Sequence, residues 1–210
     1  MLFVFHVNLS AQNNDTIVFG GKDWISNGLQ GKVYLLPINT KALPNFDTMQ
    51  PIDTIYTQTI NIPPRNWSAG FPGLSDRFEW FGVEYTGTFK TNKPGRYIFR
   101  LLSDDGSKLF VDGKLVIDND KLHGASAKTG ETDLDNSSHT IKIQYFQGPR
   151  YQIALQLFAG LQNSKEEIFP GNNFILSTPG THSNMLLLWL IAAAILLIVI
   201  IIFWQRRRKK

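Results

Sequence analysis

SDDGSKLFVDGKLVIDND, residues 103–120, decides the fold. Lys108 to Val111 and Lys114 to Ile117 are β-prone, and the Asp112-Gly113 pair between them is a favoured two-residue turn because both positions accept positive φ. The stretch therefore reads as a β-hairpin entered through two adjacent acids, Asp104 and Asp105. Neighbouring carboxylates at a strand end repel each other. Either water solvates them, as it does most acids at turns, or a hard cation with oxygen ligands, such as calcium, sits between them.

Outward from the hairpin the chain keeps the same character. In RFEWFGVEYTGTFK, residues 77–90, Val83, Tyr85, Gly87 and Phe89 alternate with Glu84, Thr86, Thr88 and Lys90, the period of a strand with one buried face. Lys93-Pro94-Gly95 turns the chain into Arg96 to Leu102, with Tyr97, Phe99 and Leu101 on one face. Beyond the hairpin, Asp118-Asn119-Asp120 reads as a solvated turn, Leu122 to Lys128 as a loop and Gly130 to Leu134 as a short strand. His139 to Phe146 and Tyr151 to Phe158 alternate again, with Gln147-Gly148-Pro149-Arg150 as the turn between them. Upstream, Gly28 to Leu36 and Asp53 to Ile62 are strand-like, and Pro37, Pro44, Pro51, Pro63, Pro64 and Pro72 exclude helix from that region. Short strands with frequent turn signals predict an all-β sandwich or barrel.

These residues resemble the PA14 domain family, the β-sandwich module of protective antigen, bacterial glycoside hydrolases and fungal cell-wall adhesins. The resemblance begins near Gly28-Leu29-Gln30-Gly31 and runs through DRFEWFGVEYTGTF and PGRYIFRLLSDDGSKLFVDGKLVIDND. It includes His123 and ends in HTIKIQYFQGPRYQIALQLF, residues 139–158. It implies an antiparallel two-sheet sandwich over residues 28–160. In glycan-binding members of the family two adjacent Asp residues joined by a cis peptide hold calcium, an Asn from a late loop completes the site, and the ion grips sugar hydroxyls. By that likeness Asp104 and Asp105 are the metal ligands. Gln147 stands where the adhesins carry Asn, and Arg150 is positioned to add a hydrogen bond to the ligand.

Location is legible at both ends. Met185 to Trp204 is free of charged side chains, and about 20 apolar residues span a bilayer. Arg206, Arg207, Arg208, Lys209 and Lys210 follow it, a stop-transfer cluster that the positive-inside rule assigns to the cytoplasm. Met1 to Ala11 reads as a signal peptide, short and without a basic n-region. The expected organisation is a leader at 1–11, a linker at 12–27, the sandwich at 28–160, a stalk at 161–184, a single C-terminal transmembrane helix at 185–204 and a basic tail at 205–210. The sandwich is then periplasmic or extracellular. No LPxTG motif precedes the helix, and a GPI signal would not end in five cations, which argues against a removable sorting signal.

Charge excludes nucleic acid as a partner. Of the 21 Lys and Arg, five lie in the tail, leaving 16 against 17 Asp and Glu, and a near-neutral domain lacks the footprint that phosphate binding needs. With no cysteine there is no disulfide and no thiolate site, a usage common in bacterial envelope proteins. No nucleophile motif, zinc spacing or phosphate loop is present. Asp104 and Asp105, being neighbours, make a poor acid and nucleophile pair for glycoside hydrolysis, so the chain reads as non-enzymatic. His123 reads as structural and His139 as exposed. Trp67, Phe71, Phe78, Trp80 and Phe81 read as core aromatics in preference to a sugar platform. Two functions remain: a membrane-anchored carbohydrate-binding module that uses calcium at Asp104 and Asp105, or a structural or envelope-protein interaction domain without ligand.

Overall fold

The alternation at residues 77–90 becomes the spine of the molecule. In the computed structural model, which describes residues 18–74, 77 and 79–179, Phe81–Thr91 is a single long strand that pairs on both sides. The leader, the apolar run at 185–204, the basic tail and Phe78 lie outside the described residues. Among those described, no helix is long and apolar enough to cross a membrane.

In chain order the strands are β1 (Phe19–Gly21), β2 (Leu29–Leu35), β3 (Asp53–Thr57), β4 (Asn61–Asn66), β5 (Phe81–Thr91), β6 (Gly95–Asp104) and β7 (Ser107–Val111). They continue as β8 (Lys114–Asn119), β9 (Ser126–Leu134), β10 (Ser138–Gln147), β11 (Gln152–Leu161), β12 (Glu167–Ile168) and β13 (Phe174–Ser177). The larger sheet runs β1-β3-β2-β5-β10-β7-β8, with β13 also on β5. The smaller runs β12-β11-β6-β9, with β4 also on β11. Every pairing is antiparallel. The inward rows interleave in one apolar core: Val83, Tyr85 and Phe89 of β5 and Ile141 and Ile143 of β10 meet Phe99 and Leu101 of β6 and Leu155 and Leu157 of β11.

The hairpin forms as its residues dictate. Asp112 and Gly113 take φ of 49° and 75°, and Leu109 and Ile117 face inward across the β7/β8 pair. The flanks differ from the expectation. Residues 161–184 were expected to be a stalk, but Phe169, Phe174 and Leu176 are buried and β13 adds to the larger sheet, because these side chains close the core against Phe89, Tyr97 and Phe99. The expected linker contributes β1, whose Phe19 packs edge-on to Phe71 at 6.3 Å. Pro63 and Pro64 sit within β4, tolerated because β4 is an edge strand that pairs only with β11 and does so through a bulge. β9 extends back to Ser126, into the expected loop. Trp67, Phe71 and Phe81 are core residues, as their types predict.

Candidate functional site

The acid pair closes β6 at one end of the sandwich. The Asp104–Asp105 peptide is cis, and the loop it makes is fixed from behind. The Tyr145 hydroxyl, buried in the core, donates to the Asp104 backbone carbonyl at 2.6 Å. Ser103 and Ser107 hydroxyls meet at 2.7 Å, and the Asn119 amide donates to Ser103 Oγ and to the Ser126 carbonyl. A side chain on Gly106 would stand 2.5 Å from the Phe146 ring, so this turn admits only glycine. Asn119 and Asp120, read as a solvated turn, instead brace the site. Asn119 is buried, and Asp120 accepts from Leu43 N and Lys108 Nζ.

Both carboxylates are only 6 % exposed. Asp105 Oδ1 accepts from the His123 N–H at 3.2 Å and Oδ2 from the Gly148 N–H at 2.8 Å. Burial, and then the Asp105 charge beside it, push the Asp104 carboxyl up to about 6, against the lowering effect of His123 and the Ala125 N–H. Burial also raises Asp105, opposed by its bonds to Gly148 and His123. No Lys or Arg among the described residues contributes to holding either carboxylate ionised. The site is therefore a buried pair of acids short of positive charge, the condition that a hard cation relieves. Among the described residues no group of three His, Cys, Asp or Glu side chains is disposed to hold a metal, and the His123 ring is turned to backbone carbonyls, so remaining ligands would come from amides, backbone carbonyls or water.

The pair opens into a cleft of about 510 Å³ walled by Asn66, Leu122, Pro149, Tyr151 and Gln152. Tyr151 is 81 % exposed at its lip, an aromatic face turned to solvent. His123 lines the cleft but its ring is committed to the Gly124 and Asn119 carbonyls at 2.8 and 2.9 Å, the structural role expected of it. Gln147 is brought near the pair but faces inward. Its amide oxygen shares the single Tyr145 hydroxyl proton with the Asp104 carbonyl, and its amide nitrogen donates to the Pro149 and Gln152 carbonyls. The amide expected to coordinate instead ties the late loop to the phenol that holds Asp104. Arg150 is exposed on the same loop, between Pro149 and Tyr151. Asn66 and Tyr151 were not read as site residues from sequence, because they are far apart in the chain and meet only through the β4/β11 pairing, where Asn66 opposes Gln152.

Residues 26–170 match the PA14 domain family, well over half of the chain. The chain belongs to the PA14 domain family. Among curated proteins it is similar to the anti-sigma-I factor RsgI3 of Acetivibrio thermocellus, 30 % identical over 104 residues, covering 49 % of this chain and 16 % of that protein. The chain thus spans only a small part of this relative's length. Among solved structures it is similar to the PA14 sugar-binding domain from an RTX adhesin, with 21 % identity and a TM-score of 0.58 over 74 % of this chain and all of that one. It is also similar to the epithelial adhesin 9 A domain of Candida glabrata in complex with Galβ1-3GlcNAc. That likeness has 15 % identity and a TM-score of 0.52, over 74 % of this chain and 92 % of the other. At these identities the likeness is one of fold, and it agrees with the two antiparallel sheets described above.

Proposed function

We propose that this PA14 domain binds carbohydrate in the Asp104–Asp105 cleft with the help of a calcium ion, and does so as a non-catalytic module anchored outside the cytoplasmic membrane by residues 185–204. One observation carries the reading. Two buried carboxylates without a balancing Lys or Arg share an open cleft with an exposed tyrosine ring. A cation held by Asp104 and Asp105 would offer open coordination positions to vicinal hydroxyls, and the Tyr151 face would stack on the apolar side of a sugar ring. Asn66 and Gln152 supply polar groups that can orient the ligand, and Arg150 can reach in from the rim. Gln147 serves by fixing Tyr145 and the late loop rather than as a ligand. The sugar-binding adhesin domains with this fold support the glycan class.

The test is binding of the full-length protein to a glycan array in calcium and in EDTA, beside Asp104→Asn and Tyr151→Ala. Calcium-dependent binding lost in Asp104→Asn and weakened about tenfold in Tyr151→Ala, the value of one aromatic contact of ~1.4 kcal/mol, is expected. Glycan binding that persists in EDTA and in both variants would place the sugar site elsewhere, and an absence of binding to every glycan in calcium would favour the alternative, an interaction domain for an envelope protein with a solvated acidic loop.

A further inference from the structure

The chain leaves the sandwich at an unusual place. β2 and β13 share one side of β5: β2 pairs with Phe81 to Thr86, and β13 with Thr88 to Thr91. They meet end to end, where the Gly28 N–H donates to Thr178 Oγ1 at 2.9 Å and the Thr178 N–H donates to the Ser26 carbonyl at 3.1 Å. β13 cannot continue in the sheet because β2 already occupies its path. Below lies the core, so the chain steps outward. Pro179 accordingly stands on the outer face of the larger sheet, where it lines a shallow groove with Thr86, Thr88, Phe110, Thr140 and Lys142. Only Gly180 to Asn184 then separate it from Met185, where the apolar run begins. Fully extended, that tether reaches about 20 Å.

The two outer faces differ in charge. On the smaller sheet Arg96 pairs with Glu131 and Asp133 and Arg100 with Glu166, while Lys128 of β9 donates to the Asp118 carbonyl. Around the exit on the larger sheet, β2, β5 and β10 present Lys32, Lys90 and Lys142 about Glu84; Lys142 lies 3.9 Å from that acid and 4.9 Å over the Phe110 ring, which leaves Lys32 and Lys90 as the cations in excess. Glu84 is 12 % exposed in its side chain and accepts from Gln144 Nε2. Beside Lys90 on β13, Ile175 is 62 % exposed.

We infer that this outer face of the larger sheet lies against an anionic lipid surface, with Lys32, Lys90 and Lys142 among the headgroups and Ile175 at their level. The inference rests on the membrane anchor proposed above. Lysines near an anionic leaflet are attracted individually, and a tether this short keeps the face from which it departs within their reach. The cleft residues Asn66, Tyr151 and Gln152 belong to or flank the smaller sheet and open at the end of the sandwich, so the apposition leaves the cleft accessible from the side.

The test is amine acetylation of the full-length protein, read lysine by lysine by mass spectrometry. The protein is placed in detergent, in phosphatidylcholine vesicles and in vesicles that also contain phosphatidylglycerol. In the anionic vesicles Lys32, Lys90 and Lys142 should react about fivefold more slowly than in detergent, one cation's attraction to the surface expressed as a population ratio. Lys165, exposed in the turn after β11, should be unchanged. Equal reactivity of all four lysines in protein that alkaline carbonate fails to extract would overturn the apposition while leaving the anchor. Protection as strong in phosphatidylcholine alone would overturn the role of anionic headgroups. Extraction by carbonate would remove the anchor and the apposition with it.

Discussion

Asp104 carries the chemistry of the site in its proton. Its carboxyl is raised to about 6 by burial and by Asp105, from an unfolded value of 3.8. A carboxyl with a higher pKa folded than unfolded binds more protons in the native state, so the cation-free protein loses stability as pH rises from 3.8 through about 6. A cation that needs the ionised form reverses the trend, since it competes with that proton. Melting temperatures with millimolar calcium and with EDTA should therefore differ more at pH 7.5 than at pH 5, a comparison readable by differential scanning fluorimetry. Asp104→Asn removes the buried charge. In EDTA at neutral pH it should melt higher than the parent, by roughly 3 °C for ~1 kcal/mol after screening at the half-open cleft, and it should ignore calcium. A parent whose calcium response is flat with pH would show that Asp104 takes no part. Gly148 tests the second carboxylate. A Cβ there would stand 2.5 Å from Leu122 Cδ2 and 3.1 Å from Asp105 Oδ2. The leucine end can yield, but the Asp105 carboxylate shifts with it. Gly148→Ala should keep its cold, calcium-free stability within about 1 kcal/mol and weaken calcium about tenfold by isothermal titration. The acid pair was legible because its two members are contiguous. The inward turn of Gln147 was not, since it depends on Tyr145 of the larger sheet reaching Asp104 of the smaller.

At the scale of elements, the β7/β8 hairpin is pinned to β10 by a histidine that sequence alone left at the surface. His139 is 6 % exposed, with Nδ1 2.7 Å from Asp112 Oδ2 and Nε2 3.2 Å from the Asp135 carbonyl. The ring also stands 5.5 Å from Phe89. Burial lowers the His139 pKa, but the bonds to Asp112 and Asp135 outweigh it and the net shift is upward. The Asp112 carboxyl is lowered: burial opposes, and the bonds from His139 and Thr140 win. His139 therefore stabilises fully below its unfolded value of 6.5 and less as pH rises through its folded value. Asp112 contributes above 3.8 and is lost as pH falls through its own lowered value. The hairpin clamp is strongest in mild acid. His139→Gln should flatten the decline in melting temperature on the alkaline side of neutrality and cost about 2 kcal/mol in mild acid, the worth of a charge-assisted bond. An unchanged alkaline slope would assign that decline elsewhere. Strands were readable wherever one face is apolar. β9 escaped in part because most of its side chains face solvent and its place is set by backbone pairing to β6, a pattern that leaves no period in residue types.

For the whole molecule, the strands interleave between sheets along the chain, so neither sheet forms from a contiguous segment. β6 leaves the larger sheet for the smaller, β7 and β8 return, β9 leaves again, and β10 and β11 repeat the exchange. Both ends of the described chain complete this arrangement. Thr178 clasps Gly28, and Phe174 and Leu176 fill the core beside Phe169. These last residues were unreadable as structure because a four-residue strand between Pro170 and Pro179 has too few positions for a period to emerge. The family match, at residues 26–170, stops before them. A protein trimmed to 26–170 lacks β1, β13 and two buried apolar side chains, each worth ~1.5–3 kcal/mol on transfer from water. The loss is a large fraction of the ~5–15 kcal/mol typical of a domain. Urea titration followed by circular dichroism should give a midpoint well below that of residues 18–179, or no cooperative transition at all. Equal midpoints would mean that β13 is an appendage, and the exit over the larger sheet would then no longer be held in place by the fold.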